Sequence, residues 1–258
     1  MEYKDQMNRT IRLENFPRRI VSLVPSQTEL LFDLGLEDEV VGITKFCIHP
    51  DTWFRSKTRV GGTKTVDIDK VQTLEPDLII ANKEENTKED IEKLVRVAPV
   101  WISDIHTLEE ALDMIKQIGV LTNRREKSRS MITTIREGFE AIQQAEKRKR
   151  VLYLIWERPV MAAGNTTFIH DMLTRIGWEN VLEEQIRYPE LSDEEIVRLQ
   201  PDLIILSSEP YPYKEEHVQR YQKLCPGAEV RLLDGEFFSW YGSRLVKALP
   251  YFQKVISE

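Results

Sequence analysis

The stretch Leu74-Glu-Pro-Asp-Leu-Ile-Ile80 decides the fold, because a second version, Leu199-Gln-Pro-Asp-Leu-Ile-Ile205, follows 125 residues later. When residues 71–84 are aligned with residues 196–209, seven of the fourteen positions are identical. In both copies a Pro-Asp pair precedes a short apolar run, which is typical of a strand buried on both faces of a parallel sheet. The repeat therefore predicts two similar α/β lobes, and we expect a cleft between them.

A second echo places the first strand of each lobe. Residues 19–24 (Arg-Ile-Val-Ser-Leu-Val) resemble residues 150–155 (Arg-Val-Leu-Tyr-Leu-Ile) in character and in position before the repeat. Apolar strands alternate with amphipathic helices in both halves, a pattern that indicates α/β lobes with parallel central sheets. After the first strand, Ser26 and Glu29 have the spacing of a helix capping box.

The stretch 122–150 differs from its surroundings, because apolar residues at helical spacing lie within dense charge. It predicts one long spine helix of about 25 residues, or about 37 Å at 1.5 Å per residue. We therefore expect an N-terminal lobe at 1–121, a linking spine helix at 122–149 and a C-terminal lobe at 150–258.

Composition and charge narrow the function classes. The chain has 258 residues, of which 41% are hydrophobic and 31% charged, and a net charge of −7. Such an acid excess argues against nucleic acid as a partner, because non-specific binding needs a basic stripe. The two cysteines make no disulfide framework, and no Walker A, GxSxG or HExxH motif is present.

The sequence as written shows no targeting or spanning segment. Residues 1–10 lack the apolar core of a secretory signal, and no stretch approaches the 18 or so apolar residues of a membrane span. These features predict no membrane span, and a cytoplasmic location unless a signal has been removed.

The motifs together resemble a known family. Residues 17–29 (Pro-Arg-Arg-Ile-Val-Ser-Leu-Val-Pro-Ser-Gln-Thr-Glu), the Val-Gly-Gly-Thr-Lys turn at 60–64, the two Pro-Asp-Leu-Ile-Ile strands and the central helix are similar to class III periplasmic binding proteins. These are the receptors for vitamin B12, haem and ferric siderophores that feed ABC importers. The stretches 82–86 and 177–181 are most similar to the cobalamin-binding branch.

The resemblance implies a function and partners. It implies a monomeric, periplasmic substrate-binding protein that holds a metal chelate without catalysis and delivers it to a membrane permease. Cobalamin is the first expectation for the ligand, with a ferric siderophore or haem as alternatives, and no catalytic cofactor is expected.

Ligand-binding residues are expected in the loops that follow the strands, because open α/β sheets bind ligands outside their carboxyl ends. Aromatic rings there would stack on a flat macrocycle, and Lys or Arg would meet its anionic groups. The predicted ligand-binding residues are Pro25, Ser26, Phe46, Lys64, Lys83, Glu84, Asn86, Trp156, Arg158, Tyr211, Phe237, Phe238, Trp240 and Arg244.

Two further predictions concern metal and partner. Cys47 and His49, two residues apart, would face the same way on an extended segment, so His49 is a candidate axial ligand to the chelated metal. Asp69 and Glu194 each stand seven residues before the proline of a repeat. The resemblance implies that acids at these places dock into arginines of the permease, one in each lobe; helix capping is the competing explanation.

Two other function classes remain open at this point. Tetrapyrrole chelatases use a related two-lobed fold, and Cys47, His49 and Glu84 would be the candidate catalytic groups. A cytosolic cobalamin handler or sensor would keep the same fold without a transporter.

Overall fold

A computed structural model describes residues 1–143 and 148–257 of the chain. Its strands are β1 (Glu2–Lys4), β2 (Thr10–Arg12), β3 (Ile20–Ser22), β4 (Val40–Ile43), β5 (Thr58–Arg59), β6 (Gly61–Gly62), β7 (Thr65–Val66), β8 (Leu78–Asn82), β9 (Val100–Ser103), β10 (Arg150–Glu157), β11 (Val160–Ala162), β12 (Glu179–Asn180), β13 (Leu203–Ser207) and β14 (Glu229–Leu233). Its helices are α1 (Pro25–Asp33), α2 (Asp51–Ser56), α3 (Ile68–Thr73), α4 (Lys88–Leu94), α5 (Leu108–Leu121), α6 (Arg125–Ala141), α7 (Phe168–Arg175), α8 (Asp193–Leu199), α9 (Glu215–Leu224), α10 (Glu236–Ser239) and α11 (Arg244–Ser257).

The chain divides into two compact units. Unit 1 consists of Met1–Asp104, Glu109–Thr134 and Tyr241–Arg244. Unit 2 consists of Ile105–Leu108, Ile135–Trp240 and the residues from Leu245 onward. The three-part division at 1–121, 122–149 and 150–258 stays a prediction.

Unit 1 is built on a sheet whose strands run in the order β5-β4-β3-β8-β9, with every neighbouring pair parallel. Val21 and Ile79, neighbours in register on β3 and β8, are fully buried in one apolar cluster. The run of buried positions along β8 shows that helices and loops cover both faces of the sheet, as a parallel sheet requires.

Unit 2 repeats this plan with one change. Its sheet has the order β11-β10-β13-β14, and β12 pairs with the start of β10. The pairs β10–β13 and β13–β14 are parallel, whereas β11 turns back antiparallel from the end of β10. The predicted α/β class with parallel central sheets is thus confirmed in both units.

The aspartate of the Pro-Asp pair makes equivalent hydrogen bonds in each unit. The carboxylate of Asp77 accepts hydrogen bonds from the backbone N–H groups of Arg18 and Arg19, at 2.8 and 2.9 Å. In unit 2 the carboxylate of Asp202 accepts from the N–H of Arg150 at 2.9 Å. Each aspartate therefore ties the beginning of its own strand to the beginning of the neighbouring one.

The same arginines close the turn before the strand. The Arg19 guanidinium donates to the carbonyl of Leu74 at 2.6 Å, and the Arg150 guanidinium donates to that of Gln200 at 2.8 Å. Glu75 and Gln200, the residues before the prolines, both have left-handed backbone, with φ of 46° and 47°. The turn before the proline therefore has the same conformation in both units, including the left-handed residue that precedes the proline.

Two local predictions are wrong. The capping box at Ser26 and Glu29 does not form, because α1 begins at Pro25 with Val24 as a cap that makes no side-chain bond. The spine helix is shorter than predicted: α6 has 17 residues, about 25 Å. Asn123, at φ 57°, separates it from α5, and residues 144–147 of the predicted helix lie outside the described residues.

Candidate functional site

A layer of polar side chains lies where β8 and β9 end in unit 1. The Asn82 side-chain amide donates to Ser103 Oγ at 3.0 Å, and the Gln27 amide also donates to that oxygen. The carbonyl oxygen of the Asn82 side chain accepts from the N–H of Glu84 at 2.8 Å. All three polar side chains are buried, so they set the backbone of the loop after β8 before any ligand arrives.

Asn86 belongs to this layer, and the structure corrects its predicted role. It is 5% exposed, its Oδ1 accepts from the N–H of Asn82 at 2.8 Å, and its Nδ2 donates to the carbonyl of Thr63 at 2.9 Å. Asn86 thus joins two loops of unit 1, and its burial argues against a direct contact with a ligand.

Three predicted residues of unit 1 do reach the surface. Phe46 is 51% exposed, and the Lys45 ammonium lies 5.1 Å from its ring centroid, an arrangement typical of a cation–π contact. Lys64 is exposed and donates to the backbone carbonyl of Glu84, so it connects the β6–β7 turn to the loop after β8. Lys83 is exposed too, but its ammonium is 2.6 Å from Asp104.

Arg244 and its neighbours at the start of α1 are buried. The Arg244 guanidinium donates to Glu29 at 2.8 Å, and the two side chains are only 8% and 4% exposed. Predicted ligand binding by Arg244 is therefore corrected to a structural ion pair within unit 1. Pro25 and Ser26 are buried as well, and Ser26 Oγ has no partner among the described residues.

Cys47 lies in the core, whereas His49 is only half-buried. Its thiol is fully buried, receives the Thr28 hydroxyl at 3.1 Å and lies 3.1 Å from that of Thr44. Burial raises the pKa of Cys47 to about 11, so the thiol is neutral at pH 7. His49 is half-buried, and its axial ligation stays a prediction.

Unit 2 presents an aromatic surface where β10 and β13 end. Trp156, which is 39% exposed, and the half-buried Tyr211 meet edge to face, with ring centroids 5.7 Å apart. The Trp156 indole N–H donates to the carbonyl of Arg158 at 3.1 Å, which fixes the ring over its own hairpin. The Arg158 side chain is exposed beside it. We name Trp156 and Tyr211 the aromatic surface of unit 2.

A buried network supports this surface from below. The Tyr211 hydroxyl lies 3.2 Å from His217 Nε2, and His217 Nδ1 accepts from the N–H of Lys214 at 2.9 Å. Tyr213, 6% exposed, packs between Tyr211 and His217, with ring centroids 4.8 and 5.2 Å away. The loop that carries Tyr211 is therefore anchored to α9.

Glu209 was missed by sequence reasoning. Its Oε1 accepts from the Ser239 hydroxyl at 2.6 Å and from the Trp240 indole N–H at 2.8 Å. Burial is the main cause that raises the pKa of Glu209 above its ordinary value, and the acids Glu236 and Asp234 add to it. The repeat contained the signal, because Glu209 aligns with Glu84, which was predicted.

The three predicted aromatic residues around α10 differ in accessibility. Phe238 is wholly buried, 5.3 Å from Tyr153 and 5.0 Å from Phe252 between ring centroids, so its predicted ligand contact is wrong. Phe237 is half-buried and stacked on Tyr251 at 4.4 Å. Trp240 is 7% exposed, and its indole N–H donates to the Glu209 carboxylate.

Asp69 and Glu194 occupy the same place in their units. Each is the second residue of its helix, and each is exposed. Capping is done by others: the Asp67 side chain caps α3, and Ser192 with Glu195 forms the capping box of α8. Within the described residues neither Asp69 nor Glu194 makes a hydrogen bond or ion pair.

Comparison with known proteins places the chain. A family model described as "Periplasmic binding protein" matches residues 20–225, from the start of β3 to just past the end of α9. The chain belongs to the periplasmic binding protein family. The match covers the central strands of both units, including both copies of the Pro-Asp repeat.

Relatives in the family are substrate-binding proteins of transporters. The chain is 29% identical, over 212 residues, to an uncharacterised ABC transporter substrate-binding lipoprotein, YvrC, of Bacillus subtilis, an alignment covering 78% of this chain and 67% of that protein. It is 25% identical over 195 residues to the vitamin B12-binding protein of Vibrio campbellii, with 74% and 70% of the two chains covered.

Solved structures agree on the fold. The petrobactin-binding protein YclQ of Bacillus subtilis superposes with a TM-score of 0.84 at 20% identity, covering 100% of this chain and 99% of that one. The periplasmic haem-binding protein HutB of Vibrio cholerae gives a TM-score of 0.80 at 22% identity, over 93% and 99%. At such identities the likeness concerns the fold, and the ligands of these proteins do not carry over.

Two features are absent from the described residues. In residues 1–143 and 148–257 no helix is both long and apolar enough to span a membrane. Nor does that part of the chain contain a group of three or more His, Cys, Asp or Glu side chains placed to hold a metal ion.

Proposed function

We propose that this protein is an extracytoplasmic receptor that binds a metal chelate without catalysis and delivers it to an ABC permease. Membership of the periplasmic binding protein family carries the proposal, and relatives named for vitamin B12 binding suggest a cobalamin-like ligand first. The aromatic surface of unit 2 supports it, because two adjoining rings at the strand ends offer apolar area on which a flat macrocycle can pack.

The ligand-binding residues we propose are five predicted residues that reach solvent and make no ion pair among the described residues, which leaves out Lys83 because it is paired with Asp104. In unit 2 these are Trp156, Arg158 and Tyr211; in unit 1 they are Phe46 and Lys64. Each set lies where strands of its own sheet end, the edge at which open α/β sheets take ligands. The contacts that prepare these residues exist in the free protein, so we expect a largely preformed surface.

The receptor proposal is tested by titration of the full chain with cyanocobalamin, haemin and ferrioxamine B. A ligand present at about 100 times its Kd should add about 2.7 kcal/mol to the free energy of unfolding. We expect cyanocobalamin to raise Tm, and W156A to weaken its binding about tenfold or more. Failure of all three ligands to raise Tm, with no quenching of tryptophan fluorescence, would refute the receptor proposal.

We further propose that Asp69 and Glu194 dock the permease, one from each unit. Acids favour helix N-termini for electrostatic reasons, but here capping is already complete without them. Two exposed carboxylates that are unpaired among the described residues, at the same position of a repeat, fit paired recognition of arginines on a partner.

Charge reversal tests the docking proposal. D69K/E194K should abolish uptake of the labelled chelate by cells that express the chain with its cognate permease, and leave the chelate Kd unchanged. The matched control is E89K/E216K, since Glu89 and Glu216 are also exposed second residues of helices, α4 and α9. If both double variants reduce uptake equally, the effect is one of net charge and the docking proposal fails.

A further inference from the structure

Glu209 is a half-buried carboxylate of unit 2 that makes no ion pair among the described residues. It lies two residues beyond the end of β13, and its Oε1 receives both the Ser239 hydroxyl and the Trp240 indole. No other hydrogen bond and no ion pair reaches the Glu209 carboxylate within residues 1–143 and 148–257, so Oε2 is left for solvent or a ligand. Glu157, by comparison, is paired with Tyr221 and Arg220.

The surroundings of Glu209 are arranged to hold it in place. Gly235 passes so close that a Cβ there would lie 3.0 Å from Glu209 Cγ and would collide with Ser207 Oγ. Ser207 Oγ itself donates to the Glu209 carbonyl at 2.5 Å. Backbone and carboxylate are thus fixed by separate contacts, which orients the one oxygen that has no partner.

The position of Glu209 connects it to the proposed ligand surface. Tyr211, half of the aromatic surface of unit 2, follows Glu209 by two residues, and Trp156 contacts Tyr211. A half-buried carboxylate without a cation costs stability, and carboxylates kept in such places are typical of functional sites. Its chemistry is that of a hydrogen-bond acceptor with a negative charge.

We infer that Glu209 selects the ligand at the aromatic surface of unit 2, by accepting a hydrogen bond from an amide or ammonium N–H on the rim of the chelate. This inference rests on the proposed receptor function and deepens it. A rim that carries amides, as in cobalamins, or an ammonium group satisfies Oε2. A rim that carries carboxylates, as in haem, faces charge repulsion there.

Replacing the Glu209 carboxylate by an amide tests the inference. E209Q keeps the size of the side chain and an acceptor oxygen but removes the charge, and we expect it to weaken cyanocobalamin binding about five- to twentyfold. The same variant should leave haemin binding unchanged or strengthen it. The control is E216Q, because Glu216 is an exposed carboxylate on α9 with no partner among the described residues. It should change neither Kd.

A second variant separates orientation from charge. S239A removes one of the two donors to Oε1 and should weaken cyanocobalamin binding about two- to fivefold, with circular dichroism and Tm confirming that both variants fold. The inference is overturned if E209Q leaves the cyanocobalamin Kd within twofold. It is also overturned if the wild-type chain binds haemin but binds neither cyanocobalamin nor ferrioxamine B, the two ligands that carry amide or ammonium N–H groups. Loss of binding in W156A alone, with E209Q unchanged, would leave the receptor function standing, whereas binding of none of the ligands removes both.

Discussion

Removal of the Arg244 guanidinium should unfold unit 1 at lower temperature rather than disturb a ligand. In R244A the Glu29 carboxylate, 4% exposed, loses the donor that lies 2.8 Å away. Breaking a buried ion pair from one side costs about 3–5 kcal/mol, because the other charge stays buried. At about 2–4 °C per kcal/mol for a chain of this size, Tm should fall by roughly 6–20 °C.

The assay is urea unfolding followed by circular dichroism, with a double variant as its control. E29L/R244M replaces both charges by apolar groups of similar volume and should recover most of the loss, within about 2 kcal/mol of the wild type. A ligand contact behaves differently: its removal changes Kd and leaves stability nearly constant. If R244A lowers the free energy of unfolding by less than about 1 kcal/mol, the structural explanation of Arg244 is refuted.

Three other predictions follow from single contacts. D77A removes the acceptor of two backbone bonds and D202A of one, so urea unfolding should show losses of about 1–2 and about 0.5–1 kcal/mol; the reverse order would contradict the pairing described above. In a C225S chain, Cys47 should resist thiol reagents at pH 7 until the protein unfolds, because a pKa of about 11 leaves roughly one thiolate in ten thousand; rapid labelling of the folded protein would contradict this. The pKa of Glu209 is raised on folding, so its ionisation destabilises the folded state: the wild type should lose Tm relative to E209Q as pH rises above the ordinary value of 4.5, and the two should converge in acid. A Tm difference that does not vary with pH would contradict the last of these.

The sequence predicted the scaffold because scaffold signals are local. The apolar run after each Pro-Asp pair specifies β8 and β13, and the charged, periodic stretches specify the helices. The failures have physical causes as well. Pro25 starts α1 two residues earlier than a capping Ser26 would, and the left-handed Asn123 starts α6 three residues later than the polar periodicity suggested.

Side-chain roles in the loops were harder to predict, because they depend on contacts distant in sequence. Arg244 reads as a surface cation until its partner Glu29, 215 residues away, is known. Phe238 and Asn86 are of residue types that bind ligands and that also fill cores or join loops. Exposure separates these uses: Trp156 keeps 39% of its surface, whereas Phe238 keeps none.

The glutamates at the end of the repeat, Glu84 and Glu209, show that an identical residue in the two copies need not make the same contacts. Glu84 and Glu209 are the same residue at the same register of the two copies, each two residues past its strand. In unit 1 the backbone carbonyl of Glu84 receives Lys64, whereas in unit 2 the carboxylate of Glu209 is held by Ser239 and Trp240. The aspartates of the repeat have one role because their partners, the first strand of each unit, were duplicated with them. The Glu209 carboxylate is held by Ser239 and Trp240, which lie outside the repeat, so identity within the repeat predicts the sheet but does not predict the contacts of the loops that follow it.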